Sequence, residues 1–295
     1  MRAMTMTSPS PTGPLPSLDD FAAMADEHTP LVRPERIGML LAGSDSQGQQ
    51  RIDVEAVACT GSTNVDLMQR VTSLTRPLLL VADRQTAGRG RAGRPWRAAP
   101  EDSLTFSLAW RFERPMHALL GLPLAVGVAL AEALEVFGVR PQLKWPNDVL
   151  REGAKLAGIL IETASDGRRG DATWAVIGIG LNLGVPDGLE QELQRAIAAV
   201  PELRKPPRET VLAIIASALA DVLTEFEQRG FGAFVRRWEA FHAYAGQAVK
   251  IVDNGRLLHE GTAVGVDMMG RFLIDTEAGQ VAVMVGDLSL RLQDG

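Results

Sequence analysis

From Ile52 to Phe241 apolar residues recur with a period of two in short runs and near 3.6 in longer ones, and after Gly246 only the short runs remain. A chain that interleaves the two periods can satisfy both only by packing helices on a sheet. Val54–Ala58, Leu78–Ala82, Leu104–Phe112, Gln142–Trp145, Asp148–Leu150, Leu156–Thr163 and Trp174–Leu183 read as strands, with Leu104–Phe112 alternating as a half-buried one. Asn64–Ser73, Ala118–Phe137, Arg208–Gln228 and Gly232–Phe241 read as helices, and Pro123 is tolerable only near a first turn. Gly153 falls in a hairpin turn before Leu156. Beyond Gly246, turns at Asp253-Asn254-Gly255, Met269-Gly270 and Ala278-Gly279 leave room for about five short strands, enough for a small β-barrel.

Ahead of this pattern, Met1–Pro16 is rich in Pro, Ser and Thr and reads as a disordered tail. Ser17–Glu27 reads as a short helix with Ser17 as cap and Asp20 completing a capping box, and Gly43–Gln50 as a linker or loop. The expected organisation is an N-terminal tail over 1–50, a large domain over 51–245 and a small one over 246–295.

Composition removes several function classes. The net charge of −6 argues against a general nucleic-acid or membrane binder, so any basic site must be local. A single cysteine, Cys59, excludes an internal disulfide, and His28, His117, His242 and His259 lack metal-ligand spacing. No secretory signal precedes the fold, which points to the cytoplasm, and the apolar run Ala118–Ala131 has the length of a core helix rather than a membrane span. The basic residues are nearly all arginine, so the four lysines, Lys144, Lys155, Lys205 and Lys250, carry more information than any arginine count.

Five clusters carry candidate chemistry. Gly88-Arg89-Gly90-Arg91-Ala92-Gly93 formally matches the dinucleotide pattern, yet Pro95 and Pro100 follow where that pattern needs a helix. What remains is a glycine loop with Arg84, Arg89, Arg91, Arg94 and Arg97 and no acidic residue, mobile when empty and suited to closing over an anion. A solvated basic loop in an arginine-biased chain fits the same residues. Lys144-Trp145-Pro146-Asn147-Asp148 ends a strand in a turn whose Asn147 and Asp148 oxygens suit a hydrated Mg²⁺ on ATP phosphates, or equally an Asx turn. Lys155 opens an apolar strand running to Glu162, with Gly158 where a backbone can approach a ligand; a solvent-facing strand end is the alternative. Gly178-Ile179-Gly180-Leu181-Asn182 ends another apolar strand, with glycines that suggest close approach of a ligand or a second strand. Gly61-Ser62-Thr63-Asn64 precedes a helix as an ordinary N-cap that can also offer N–H groups to a polar ligand.

Taken in order, Ser62-Thr63-Asn64, Gln85 through Trp96, Lys144 through Asp148, Lys155 through Glu162 and Gly178 through Asn182 resemble biotin–protein ligase, over about Val54 to Leu292. The resemblance implies an α+β fold: a mixed β-sheet flanked by helices, related to lipoate ligases and class II synthetases, and a C-terminal SH3-like barrel. It implies ATP and Mg²⁺ with biotin as substrate, biotinyl-5′-AMP as intermediate, and a lysine of biotin carboxyl carrier protein as acceptor. Carried over by motif, Ser62, Thr63, Asn64 and Gln85 would contact biotin. Gly88, Arg89, Gly90, Arg91 and Trp96 would close over biotinyl-AMP, with Lys155 and Gly158 at its carboxylate and phosphate, and Lys155 and Arg91 acting catalytically. Lys144, Asn147, Gly178, Gly180, Asn182 and Arg291 would serve the nucleotide, and Asn147 and Asp148 the metal.

Only about fifty residues precede the core, short for the DNA-binding domain some members carry, so neither DNA binding nor operon repression is expected. A homodimer is compatible with the chain. The alternatives are a lipoate or octanoate ligase or transferase of the same fold, and, from another class, a nucleic-acid-binding regulator using the basic loop.

Overall fold

The structure, a computed structural model, describes residues 30–44, 51–97, 99–167, 171–186, 188–190, 196–253, 256–284 and 288–292. The N-terminal tail, the Ser17–Glu27 helix, residues 45–50 of the linker and the Asn254-Gly255 turn lie outside these. Seven strands, β1 (Asp53–Thr60), β2 (Leu78–Gln85), β3 (Ser103–Phe112), β4 (Gln142–Lys144), β5 (Asp148–Arg151), β6 (Ala154–Ser165) and β7 (Thr173–Asn182), form one sheet in the order β1-β2-β3-β7-β6-β5-β4. β1 and β2 run parallel and every other neighbouring pair antiparallel, so the sheet is mixed, as the resemblance implied.

The helices α1 (Pro34–Ser44), α2 (Thr63–Arg70), α3 (Leu122–Glu135), α4 (Arg208–Arg229) and α5 (Val235–Ala240) flank it. α3 is apolar nearly all round and almost wholly buried against the sheet and α4, as such a helix must be. The stretch Met116–Glu135, long and apolar enough by composition to cross a membrane, is mostly enclosed by this packing. α3 starts at Leu122 rather than the expected Ala118. Gly121 sits at φ 81°, a left-handed turn that separates a 3₁₀ segment (Met116–Leu119) from the helix, and Pro123 falls in the first helical turn. Arg237 of α5 forks onto Glu132 of α3 and reaches Glu225 of α4, fastening the three helices together.

α1 was not among the expected helices. Pro34 at its start and Glu35 in its first turn are ordinary helix-start signals, but Met39 and Leu40 are exposed and blur the apolar stripe made by Ile37 and Leu41. β3 departs from its expected half-exposure, since both its faces are covered. Leu104, Phe106 and Leu108 join the main core, whereas Ser103, Thr105 and Ser107 lie buried on the other face.

The C-terminal strands β8 (Ala248–Asp253), β9 (Arg256–Val266), β10 (Phe272–Thr276), β11 (Gly279–Val283) and β12 (Leu288–Leu292) form a separate antiparallel sheet, in the order β11-β10-β9-β8-β12, consistent with an SH3-like domain. Its apolar face continues the main core. Trp145, fully buried between β4 and β5, donates from Nε1 to Gly270 O at 3.2 Å and packs its ring on Phe272. Gly270 (φ 77°) lets its turn seat against Gly121 ahead of α3, since a Cβ there would lie 2.8 Å from the Gly121 Cα.

His242 packs at the same junction, its ring against Trp238 and Phe272 and its Nε2 buried without a partner. Burial lowers its pKa to about 4. The unfolded chain therefore binds this proton first, and stability is lost as pH falls from about 6.5 towards 4. Between pH 7 and pH 5 the folded state should lose about 2 kcal/mol through this group, by the linkage of pKa to stability. Urea titrations of wild type and His242→Phe at both pH values check this. The component should vanish in the variant, and an equal pH dependence in both proteins would contradict the assignment.

Candidate active site

Glycines on one face of the main sheet set the shape of the site. The register pairs Gly158 of β6 with Gly180 of β7, and Gly178 of β7 with Leu160 of β6 and Ser107 of β3. Side chains alternate across a strand, so Gly158, Gly178 and Gly180 share the face that carries Ser107 and together leave a trough. A Cβ at Gly178 would overlap the Asn64 amide, and one at Gly180 would overlap the Trp96 indole. The close approach read from these glycines is thus made by the protein's own side chains.

A cleft of about 660 Å³ opens over the trough. It gathers Ser62, Thr63, Asn64, Gln85, Arg89, Gly90, Arg91, Trp96, Lys144, Asn147, Asp148, Lys155, Gly158, Gly178, Gly180 and Arg291, candidates drawn from all five sequence motifs and from β12. Two candidates stand outside its wall. Gly88 pairs with Trp96 through backbone, and a Cβ there would lie 2.7 Å from Trp96 O. Asn182 turns Nδ2 onto Ala198 O at 3.1 Å and Lys155 O at 3.4 Å, bracing the backbone of Lys155 rather than facing the cleft.

At the inner end, the start of α2 meets β2 and β3. The Thr63 N–H donates to Gln85 Oε1 at 2.9 Å, and the Ser107 hydroxyl donates to Asn64 Oδ1 at 2.6 Å. Ser107 has spent its one proton, so the 2.6 Å contact between Thr63 Oγ1 and Ser107 Oγ is a donation from Thr63. Asn64 Nδ2 donates to Glu162 Oε2 at 3.0 Å. Such hydrogen bonds contribute about 1 kcal/mol each, and linked ones hold a single arrangement. Ser62 occupies the N-cap position without a side-chain capping bond and lines the cleft instead. Sequence reasoning missed Ser107. The alternating polar side of β3 was its signal, and that side reads as solvent-facing until its cover is known.

At the outer end, residues 88–96 fold into a small hairpin. Gly90 N donates to Arg94 O, Trp96 N donates to Gly88 O, and Ala92 (φ 52°) and Gly93 (φ 68°) make its tip. Trp96 lies across Gly158 and Gly180, with Lys155 Nζ 5.8 Å from the ring centre and its own Nε1 without a partner. The loop expected to be mobile when empty is here fastened to the sheet. Arg89 pairs with Glu162 at 3.2 Å, and Arg91 donates to Asn147 Oδ1 at 3.0 Å.

Asn147 is itself clamped to β6, its Nδ2 donating to Ile159 O and its carbonyl accepting from Ile159 N. Next to it, Asp148 holds Lys155 Nζ at 2.5 Å. Lys144 stands over Tyr244, whose phenol pKa is raised by burial and then by the Asp148 charge. The cleft therefore has a neutral, hydrogen-bonding inner end and a cationic outer end whose charges rest on internal acceptors. That arrangement fits a molecule with a neutral polar group at one end and an anionic group at the other.

The profile of the "Biotin/lipoate A/B protein ligase family" matches residues 56–182, and that of the "Biotin protein ligase C terminal domain" matches residues 244–291. The chain is 33% identical over 232 residues to the bifunctional ligase/repressor BirA of Escherichia coli (strain K12), covering 78% of this chain and 71% of that protein. It is 32% identical over 260 residues to the biotin–[acetyl-CoA-carboxylase] ligase of Mycobacterium tuberculosis, covering 84% and 91%. The structure of biotin protein ligase from Aquifex aeolicus in complex with biotin and ATP superposes with a TM-score of 0.67 at 31% identity, over 81% of this chain and 99% of that one. The chain belongs to the biotin protein ligase family.

Close packing over the trough predicts unequal costs for two alanines. Gly178→Ala forces Asn64 off Ser107 and should destabilise the fold by about 1–3 kcal/mol, the range for an overpacked site. Gly61→Ala, which meets nothing within 4 Å, should stay within about 0.5 kcal/mol of wild type. Denaturant midpoints separate the two, and equal costs would contradict this role for Gly178.

Proposed function

We propose that the cleft binds biotin at its inner end and ATP at its outer end, forms biotinyl-5′-AMP, and passes the biotinyl group to a lysine of biotin carboxyl carrier protein or a carrier domain. The observation that carries this reading is the junction of the Gln85–Thr63–Ser107–Asn64 network with a cluster of cations in one cleft. Thr63, its proton given to Ser107, keeps an acceptor for the ureido ring, the Ser62 hydroxyl lines the same end, and the Gln85 amide nitrogen is left to donate. Asn182 is read as bracing Lys155, and Gly178 and Gly180 as shaping the trough, in place of direct nucleotide contacts.

In the first step a biotin carboxylate oxygen attacks the α-phosphorus of ATP, the bond to the bridging oxygen breaks, and pyrophosphate leaves. Lys155 and Arg91 hold the carboxylate and phosphate oxygens, exchanging Asp148 and Asn147 for the ligand, while Arg89 adds its charge from within its pair with Glu162. Positioning and charge neutralisation supply the rate, with no side-chain nucleophile. Trp96 and the 88–96 hairpin cover the mixed anhydride against water. In the second step the carrier lysine attacks the acyl carbon, AMP departs with the bonding pair, and the lysine proton passes to solvent.

Asp148 and Asn147 offer one carboxylate and one amide oxygen, and among the described residues no three acidic, histidine or cysteine side chains cluster. That donor set fits a Mg²⁺ held chiefly by phosphates and water, which when bound would offset the triphosphate charge. We further propose that the enzyme works in the cytoplasm.

Lys155→Ala should lower biotin-dependent ATP–pyrophosphate exchange by more than about a hundredfold, the scale for losing a preorganised charge at the reacting centre. The fold should survive, since Asp148 is only partly buried. Exchange near the wild-type rate would refute the role of Lys155.

A further inference from the structure

We propose that Glu162 is a positioning residue that latches the arginine hairpin to the biotin subsite and so sets how long the activated intermediate is kept. The proposal rests on the ligase reading above. Glu162 lies outside the cleft wall, on the strand carrying Lys155 and Gly158 and on the same face as Leu160 and Gly158. Its two carboxylate oxygens are divided between two elements. Oε2 accepts from Asn64 Nδ2 at 3.0 Å, and Oε1 pairs with Arg89 at 3.2 Å. Asn64 belongs to α2 and Arg89 to the hairpin, and both line the cleft.

The division has a mechanical consequence. On the far side of the cleft the hairpin is held where Arg91 meets Asn147 and Trp96 covers the glycine pair. Glu162 is the acceptor that fastens the near side. Its side chain is 24% exposed, so the Arg89 pair is neither lost to bulk water nor deeply buried, and a ligand anion can share Arg89 without uncovering an unpaired charge. The same carboxylate, with the Ser107 hydroxyl and Leu160 O, holds the Asn64 amide in one orientation, so occupancy of the inner end and closure of the hairpin are joined through one side chain.

The two halves of the latch separate by substitution in the full-length enzyme. Glu162→Gln keeps an acceptor for Asn64 and removes the pair with Arg89; Glu162→Ala removes both. Amide hydrogen exchange at residues 88–96 of the ligand-free Glu162→Gln protein should quicken about fivefold, as expected for losing a partly exposed ion pair. After incubation with biotin and Mg-ATP, retention of biotinyl-5′-AMP through gel filtration should shorten, and labelling of a bystander protein's lysines should rise, by about the same factor. The KM for biotin in pyrophosphate exchange should stay within about twofold for Glu162→Gln and rise at least fivefold for Glu162→Ala, on the scale of one hydrogen bond.

Unchanged hairpin exchange or unchanged adenylate retention in Glu162→Gln would overturn the latch. So would a biotin KM that rises equally in both variants, which would make Glu162 a support for Asn64 alone. Absence of pyrophosphate exchange in the wild type would overturn the ligase reading instead, and the hydrogen-exchange comparison would stand apart from it.

Discussion

Concentrating cations in one cleft is the constraint on which the site is built. Arg89, Arg91 and Lys155 converge on a trough in a protein of net charge −6. Like charges gathered in a partly dehydrated space repel one another more strongly than they would in bulk water. Each is therefore given an internal acceptor: Glu162, Asn147 and Asp148 respectively. These acceptors lie on β6 or at the turn into β5, so the sheet, rather than the loop that carries the arginines, dictates where the charges stand. An arriving carboxylate or phosphate finds cations already placed, which removes much of the reorganisation that binding would otherwise require.

The same sheet explains the glycines. Gly158, Gly178 and Gly180 are spaced for one face of paired strands, and their missing side chains give room to Asn64 and Trp96. Far from marking a phosphate loop, Gly-Ile-Gly in β7 is a strand motif with Ile179 in the core and the glycines in the trough. The C-terminal sheet is joined to this arrangement through Trp145, whose neighbours Lys144, Asn147 and Asp148 line the cleft while its indole bonds Gly270. Arg291 of β12 enters the cleft from that side.

Much of this is legible in the residues themselves. Strand and helix periods give the order of the elements, and Pro95 and Pro100 alone exclude a dinucleotide-binding helix after the glycine loop. The family's five motifs point to residues that are distant along the chain and adjacent in the fold. What stays hidden has a common cause: a sequence shows the type of a residue and not what covers it. Ser107 looks like the wet side of a strand because buried and exposed polar residues read alike. α1 escapes notice because Met39 and Leu40 face outward and spoil its periodicity. Asn182 looks like a nucleotide ligand because its bond is to Ala198, sixteen residues further on, and no local pattern announces that partner. Glu162 closes a motif without an evident task, since its partners are supplied by α2 and the hairpin.

The measurement that bears most directly on the central claim is the mass of a biotin carboxyl carrier domain after incubation with this protein, biotin and Mg-ATP. The predicted result is a gain of one biotinyl group on a single lysine, dependent on ATP and lost when that lysine is replaced. An unmodified carrier domain, or a carrier modified only when lipoate or octanoate replaces biotin, would contradict it.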